Sequence, residues 1–145
     1  MDALPGYLAG IPTYSLAAEL ASCRPLRGDL PAPPAFPPRL MADAPPRWRF
    51  CRSFSLDYAR MHARRGNVIG AIGQAAKAAM EEAHAVLCER GRWALNEKRL
   101  LRDAGLDGLH ALLANVPGEP DALVRWVDAV AAALGVPAGE VRPWN

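Results

Sequence analysis

The sequence predicts an all-α protein, an up-and-down helical bundle of about four main helices with a proline-rich N-terminal strap, and three observations carry that expectation. Apolar residues recur at three- and four-residue steps from Trp48 onward, the spacing that lines one face of a helix. Alanine, the best helix former, supplies much of the 51% hydrophobic content. No stretch of useful length alternates apolar and polar residues, as a half-buried strand would. The 145 residues fit one domain large enough to fold without a metal or a disulfide. It divides into a short helix plus strap over 1–46, a bundle core over 47–135 and a tail over 136–145.

Residues 1–12 read as irregular, with Pro5, Gly6, Gly10 and Pro12. A short helix is expected from Thr13, a candidate cap, to Ser22, with Leu16 and Leu20 facing inward. Residues 24–46 hold eight of the fourteen prolines. Proline removes a backbone donor and restricts the residue before it, so an extended segment is expected, with one helical turn near Arg39–Ala42. Leu30, Phe36, Leu40 and Met41 are spaced through it as anchors, more large apolar groups than a disordered linker carries.

A helix is expected from Trp48 to Gly66, with Trp48, Cys51, Phe54, Tyr58 and Met61 on its inner face. Gly66-Asn67 reads as a helix stop followed by a new cap. The next helix, Val68 to Arg90, carries an apolar stripe of Ile69, Ile72, Ala76, Ala79, Met80, Ala83 and Leu87. Its glycines and alanines make it slim, so it should be central, and Gly91 ends it. Further helices fit Ala94–Ala104, closed by Gly105, and Asp107–Asn115, where Asp107 is the candidate cap over Leu109, Leu112 and Leu113. The last, Asp121–Leu134, places Leu123, Val127, Val130 and Leu134 on one face. Trp144 is a candidate pin for the tail.

The formal net charge of +2 is too small to imply nucleic acid. Six arginines between Pro46 and Gly66 (Arg47, Arg49, Arg52, Arg60, Arg64, Arg65) face one acid, Asp57. Such a basic side suits an anionic ligand or an acidic partner, or is simply a solvated helix face. Aromatic side chains interleave these arginines, as on a base-stacking surface, but they fall on the expected core stripe, so packing accounts for them. Cys23, Cys51 and Cys88 are odd in number, widely spaced and without a C-x-x-C, which reads as reduced thiols in a cytoplasmic protein. The N-terminus has no secretory pattern and no window is apolar for long enough to span a membrane.

The motifs of known chemistry are incomplete. Gly66, Gly70 and Gly73 are spaced like a phosphate loop but follow a helix rather than a strand. Glu81 and His84 have the E-x-x-H spacing of di-iron bundles, and Asp107 with His110 repeats it with a shorter acid. Helical angle puts Glu81 toward water and makes Asp107 a cap, so no metal ligand set and no cofactor is expected. Glu82 and His84 flank the apolar stripe at the edge of the core, beside a helix bearing His62 and Tyr58. A carboxylate so placed can be desolvated enough to act as a base, although edge residues more commonly form salt bridges. No G-x-S-x-G occurs.

Five segments in order carry a resemblance to a known family. They are Gly10-Ile11-Pro12-Thr13-Tyr14, Pro46-Arg47-Trp48-Arg49, Ala63-Arg64-Arg65-Gly66-Asn67, Glu81-Glu82-Ala83-His84 and Trp93-Ala94-Leu95-Asn96-Glu97-Lys98-Arg99-Leu100. Together they resemble the helical, HEPN-like C-terminal half of kanamycin-nucleotidyltransferase-like nucleotidyltransferases. The resemblance implies a substrate-binding role, with Glu82 as the carboxylate that deprotonates an acceptor. Asn96, Lys98, Arg99 and Trp93 are its pocket candidates. The catalytic half that such enzymes need, with its Asp-x-Asp pair for magnesium, has no counterpart in these residues, so the chain should not transfer nucleotides alone. Nor does an arginine stand at the ribonuclease spacing before His62, His84 or His110.

Two functions follow as expectations. One is a stand-alone binding module for a small molecule or a separate catalytic partner, self-associating as a homodimer through the Ala/Gly-rich helix. The other is a small metal-independent enzyme in a biosynthetic pathway that uses Glu82, His84, His62 and Tyr58 for a cyclisation or isomerisation. An enclosed pocket with Glu82 or His84 pointing into it would favour the enzyme.

Overall fold

The structure, a computed structural model, describes residues 15–94 and 97–137. Within them the chain is all α-helix, with six helices and no strand: α1 (Ser15–Ser22), α2 (Pro38–Arg64), α3 (Val68–Glu89), α4 (Leu100–Ala104), α5 (Leu109–Ala114) and α6 (Pro120–Ala133). The long helices α2, α3 and α6 form the bundle. Arg52 meets Glu82, Trp48 meets His84, and at the other end His62 lies against Gly70, so α2 and α3 run antiparallel. Arg60 meets Asp128 and Arg52 meets the carbonyl of Leu134, so α6 also runs antiparallel to α2.

The turn between α2 and α3 forms as its residues dictate. Gly66 takes φ +67°, a left-handed conformation that glycine adopts without strain. Asn67 then caps α3, its Oδ1 accepting from the Gly70 amide at 2.9 Å. The last helix is as the spacing predicts, with Leu123, Val127, Val130 and Leu134 all buried. They pack with Leu56, Ala59 and Ala63 of α2 and Ala71, Ala75, Ala78 and Ala79 of α3 into the main core. A smaller cluster joins Ala83 and Leu87 to Leu100 and Ala104 of α4.

Several expectations need correction. Helix α2 starts ten residues before the expected Trp48, at Pro38, and runs through Pro45 and Pro46. Proline suits the first turn, where the N–H has no partner anyway. The interior pair deprives the carbonyls of Met41 and Ala42 of their donors, and both residues lie at the surface, where water can replace the bonds. The extended strap is therefore confined to residues 23–37, and of its anchors Phe36 packs on Trp93 at 4.5 Å between ring centroids, while Leu30 is exposed.

The inner face of α2 is not the aromatic stripe. It is Arg52, Ser55, Leu56, Ala59, Arg60 and Ala63, while Phe54 and Tyr58 are exposed. In α3 Ala79, Ala83 and Leu87 of the expected stripe are buried, but Ile69 is 85% exposed, and the buried face is wider, with Ala71, Ala75, Ala78 and Ala85 buried as well. Leu16 points outward and Ala18 inward in α1. The expected Ala94–Ala104 helix is reduced to the five residues of α4, closed by Gly105 at φ +83°. Asp107 does not cap α5, whose N-cap is Gly108 with no side-chain bond. Thr13, Asn96, Trp144 and the irregular reading of residues 1–12 lie outside the described residues.

Candidate functional site

Among the described residues, two gatherings of polar side chains hold candidate site residues. The first is the seam between α2 and α3. Glu82 is buried, with Oε2 accepting from Arg52 Nη1 at 2.6 Å and Oε1 accepting from Arg49 Nε at 3.3 Å and Nη2 at 3.2 Å. Arg49 reaches on to Glu89 Oε2 at 2.9 Å, and Arg52 also donates to the carbonyl of Leu134 at 3.2 Å. Hydrogen bonds from Arg49 hold the Glu89 carboxyl below its ordinary range, and Glu89 and Glu82 together keep the Arg49 guanidinium above its own. One turn away, Ser55 Oγ donates to Glu81 Oε2 at 2.8 Å, and Lys77 Nζ donates to Glu81 Oε1 at 2.7 Å and to Ser55 Oγ at 3.1 Å.

Glu81 is thus buried and paired, not turned toward water as helical angle predicted. A serine beside a lysine has the composition of a nucleophile and its base. Ser55 has no exposed surface, however, and its proton is directed at Glu81, so the trio holds the helices together. The same holds for Glu82: both oxygens are engaged by guanidinium donors, and a base needs a lone pair facing a substrate.

The other proposed catalytic residues do not converge on Glu82. His84 stacks on Trp48 at 4.7 Å with the rings 16° from parallel. Burial pushes its pKa from the ordinary 6.5 down to about 4, so the imidazole is neutral near pH 7, and Nδ1 is buried without a hydrogen-bond partner. His62 Nδ1 lies 3.1 Å from Asn67 Nδ2 at the far end of the seam. Tyr58 is on the outward side of α2, its ring 4.8 Å from Phe54. Beside it, burial raises the Asp57 carboxyl against the opposing pull of Arg60. Among the described residues no group of three or more His, Cys, Asp or Glu side chains gathers as a metal site. No described helix is long and apolar enough to cross a membrane.

The second place is a cleft of about 380 Å³ between the end of α1, the end of α3 and α4. It is lined by Ser22, Leu87 and Leu100 with Arg92, Trp93, Lys98, Arg99 and Asp103. Three of the four pocket candidates named from the sequence, Trp93, Lys98 and Arg99, therefore share one cavity. The strap fixes the indole, with Trp93 Nε1 donating to the Pro34 carbonyl at 3.3 Å and Phe36 against its ring. Arg92 joins them beyond the sequence candidates, and its signal in the sequence is the basic cluster it makes with Lys98 and Arg99 around Trp93. Glu82, His84, His62 and Tyr58 do not line this cleft. Compared with protein families, characterised proteins and solved structures, the chain finds no match in any of the three.

Proposed function

We propose that this chain is a helical binding module whose Trp93 cleft takes a small anionic molecule. The observation that carries the reading is the composition of the cleft's lining: three cations, Arg92, Lys98 and Arg99, and one acid, Asp103, around an indole held from behind by Phe36. A volume of about 380 Å³ lies within the range of small-ligand pockets, where a few charged groups orient a ligand against apolar walls. Guanidinium forks suit carboxylate or phosphate oxygens. From the nucleotidyltransferase resemblance this keeps only the substrate-side role, at the residues that suggested it. The acid–base enzyme reading has less support, because Glu82 is paired in the seam and His62, His84 and Tyr58 lie apart from it. Self-association through α3 is not part of the proposal, since the small residues of that helix pack inside the chain.

Titration of the whole chain with pyrophosphate and with adenosine monophosphate, followed by tryptophan fluorescence, tests the reading. Saturable binding is expected, with Arg92→Ala and Arg99→Ala each weakening it about tenfold and Trp93→Phe removing the signal. Absence of saturation with both anions, or equal affinity in the arginine variants, would refute it.

A further inference from the structure

Helix α2 has a second face. At about 100° per residue, Phe50, Phe54 and Tyr58 fall at four-residue steps on the side opposite Leu56, Ala59 and Ala63. Phe50 is 69% exposed, and Phe54 and Tyr58 are 39% exposed each. The rings of Phe54 and Tyr58 touch, and Phe50 lies one turn before Phe54 on the same stripe, so the three make one ridge. Arg47 and Arg65 extend the same stripe at its two ends, with Arg39 and Arg64 beside it, all exposed. None of these four arginines forms an ion pair among the described residues, whereas Arg49, Arg52 and Arg60 are paired inward. Asp43 is the one acid of α2 in the same condition, since Asp57 pairs with Arg60.

We propose that this ridge docks an acidic amphipathic helix of a partner protein. Charge selects that occupant. A second copy of the chain set ridge to ridge on a two-fold axis would bring Arg47 of one copy toward Arg65 of the other. Base stacking needs open ring faces, and Phe54 and Tyr58 turn toward one another. A helix with small or aliphatic residues along one side admits the aromatic ridge, and carboxylates at both its ends meet the unpaired arginines. The stripe from Arg47 to Arg65 spans roughly 27 Å, which a partner helix of about 18 residues matches.

The test uses the whole chain and fluorescein-labelled synthetic helices of about 18 residues with a Leu/Ala stripe, flanked either by Glu or by Lys. Anisotropy should show the Glu helix binding and the Lys helix not. Phe50→Ser and Arg47→Glu should each weaken the Glu helix about tenfold, with helical circular dichroism unchanged because both positions are at the surface. Arg92→Ala, in the cleft, should leave this affinity as it is. No binding of the Glu helix, equal binding of the Lys helix, or an unaffected Phe50→Ser variant would overturn the proposal. Tighter binding of a single-stranded oligonucleotide or of phosphatidylserine vesicles, or a dimer in sedimentation that Phe50→Ser abolishes, would overturn it in favour of that occupant.

Discussion

The α2–α3 seam and the Trp93 cleft are both rich in charge and differ in where that charge is directed. In the seam Glu82 and Glu81 each accept two side-chain partners, and the donors come from the facing helix or from one turn away. In the cleft, cations from the α3–α4 connection border a volume that a ligand can enter. Charged groups in an antiparallel helix seam find partners at fixed spacing, because both helices are regular. Groups on a connection are placed by the chain path around them, and for that reason they can face a cavity. Candidate function is therefore better sought where charge borders a cavity than where it is abundant.

The largest effect that breaks this contrast should come from Glu82→Leu. It leaves the buried Arg52 guanidinium without its carboxylate, which costs about 3–5 kcal/mol and is read as a shift in the urea midpoint. Adding Arg52→Met should recover part of the loss, and anion binding in the cleft should not change. A loss under about 1 kcal/mol would mean that water reaches the pair, as in an exposed ion pair.

His84 gives the seam a pH dependence. Its folded pKa of about 4 lies below the ordinary 6.5, so folding favours the neutral ring. Above pH 6.5 both states are neutral and nothing is lost. Between 6.5 and 4 the unfolded chain takes a proton that the folded chain does not, and stability should fall by about 3 kcal/mol before levelling off. His84→Phe keeps a ring on Trp48 and should flatten that segment of the stability–pH curve. An unchanged slope would assign the acid sensitivity elsewhere.

Gly70→Ala is a smaller disturbance at the other end of the seam. The added methyl would lie 2.6 Å from the His62 ring, closer than atoms approach, so a cost of about 1–3 kcal/mol in thermal unfolding is expected. Gly73→Ala, with nothing near its position, should be neutral or stabilising. The smallest effect sharpens the comparison from the cleft: Arg92→Ala should change stability by no more than about 0.5 kcal/mol while reducing anion affinity.

How much could be read beforehand depended on which residues carried the signal. In α6 large aliphatic residues at helical spacing marked the buried face directly, and Asn67 marked the start of α3 by its chemistry. In α2 size misled. The spacing of the aromatics predicts that they face inward, yet α3 is slim, and a slim helix brings its neighbour's backbone close, so the facing positions must be small. Ser55, Ala59 and Ala63 fit that gap and Phe54 does not. The consequence for α2 was implicit in the glycines and alanines of α3. The positions of Pro45 and Pro46 were not legible, because proline's local preference against helix gave no hint that packing would carry the helix through them. The cleft was legible in part, through Trp93, Lys98 and Arg99, and so was the strap with Phe36 as an anchor, but their meeting was not, since nothing local pairs Phe36 with Trp93.

The tight Gly66-Asn67 turn also orders the route by which the chain assembles. Helices α2 and α3 are joined by a connection of only a few residues, so their ends meet at small entropic cost and their pairing is local in sequence. Helix α6 returns only after two intervening helices, and it reaches α2 through Arg60–Asp128 and Arg52–Leu134. An αα-hairpin that forms early and recruits α6 late would make Asp128→Ala accelerate unfolding while leaving the refolding rate nearly constant, since contacts absent from the transition state act on the unfolding limb.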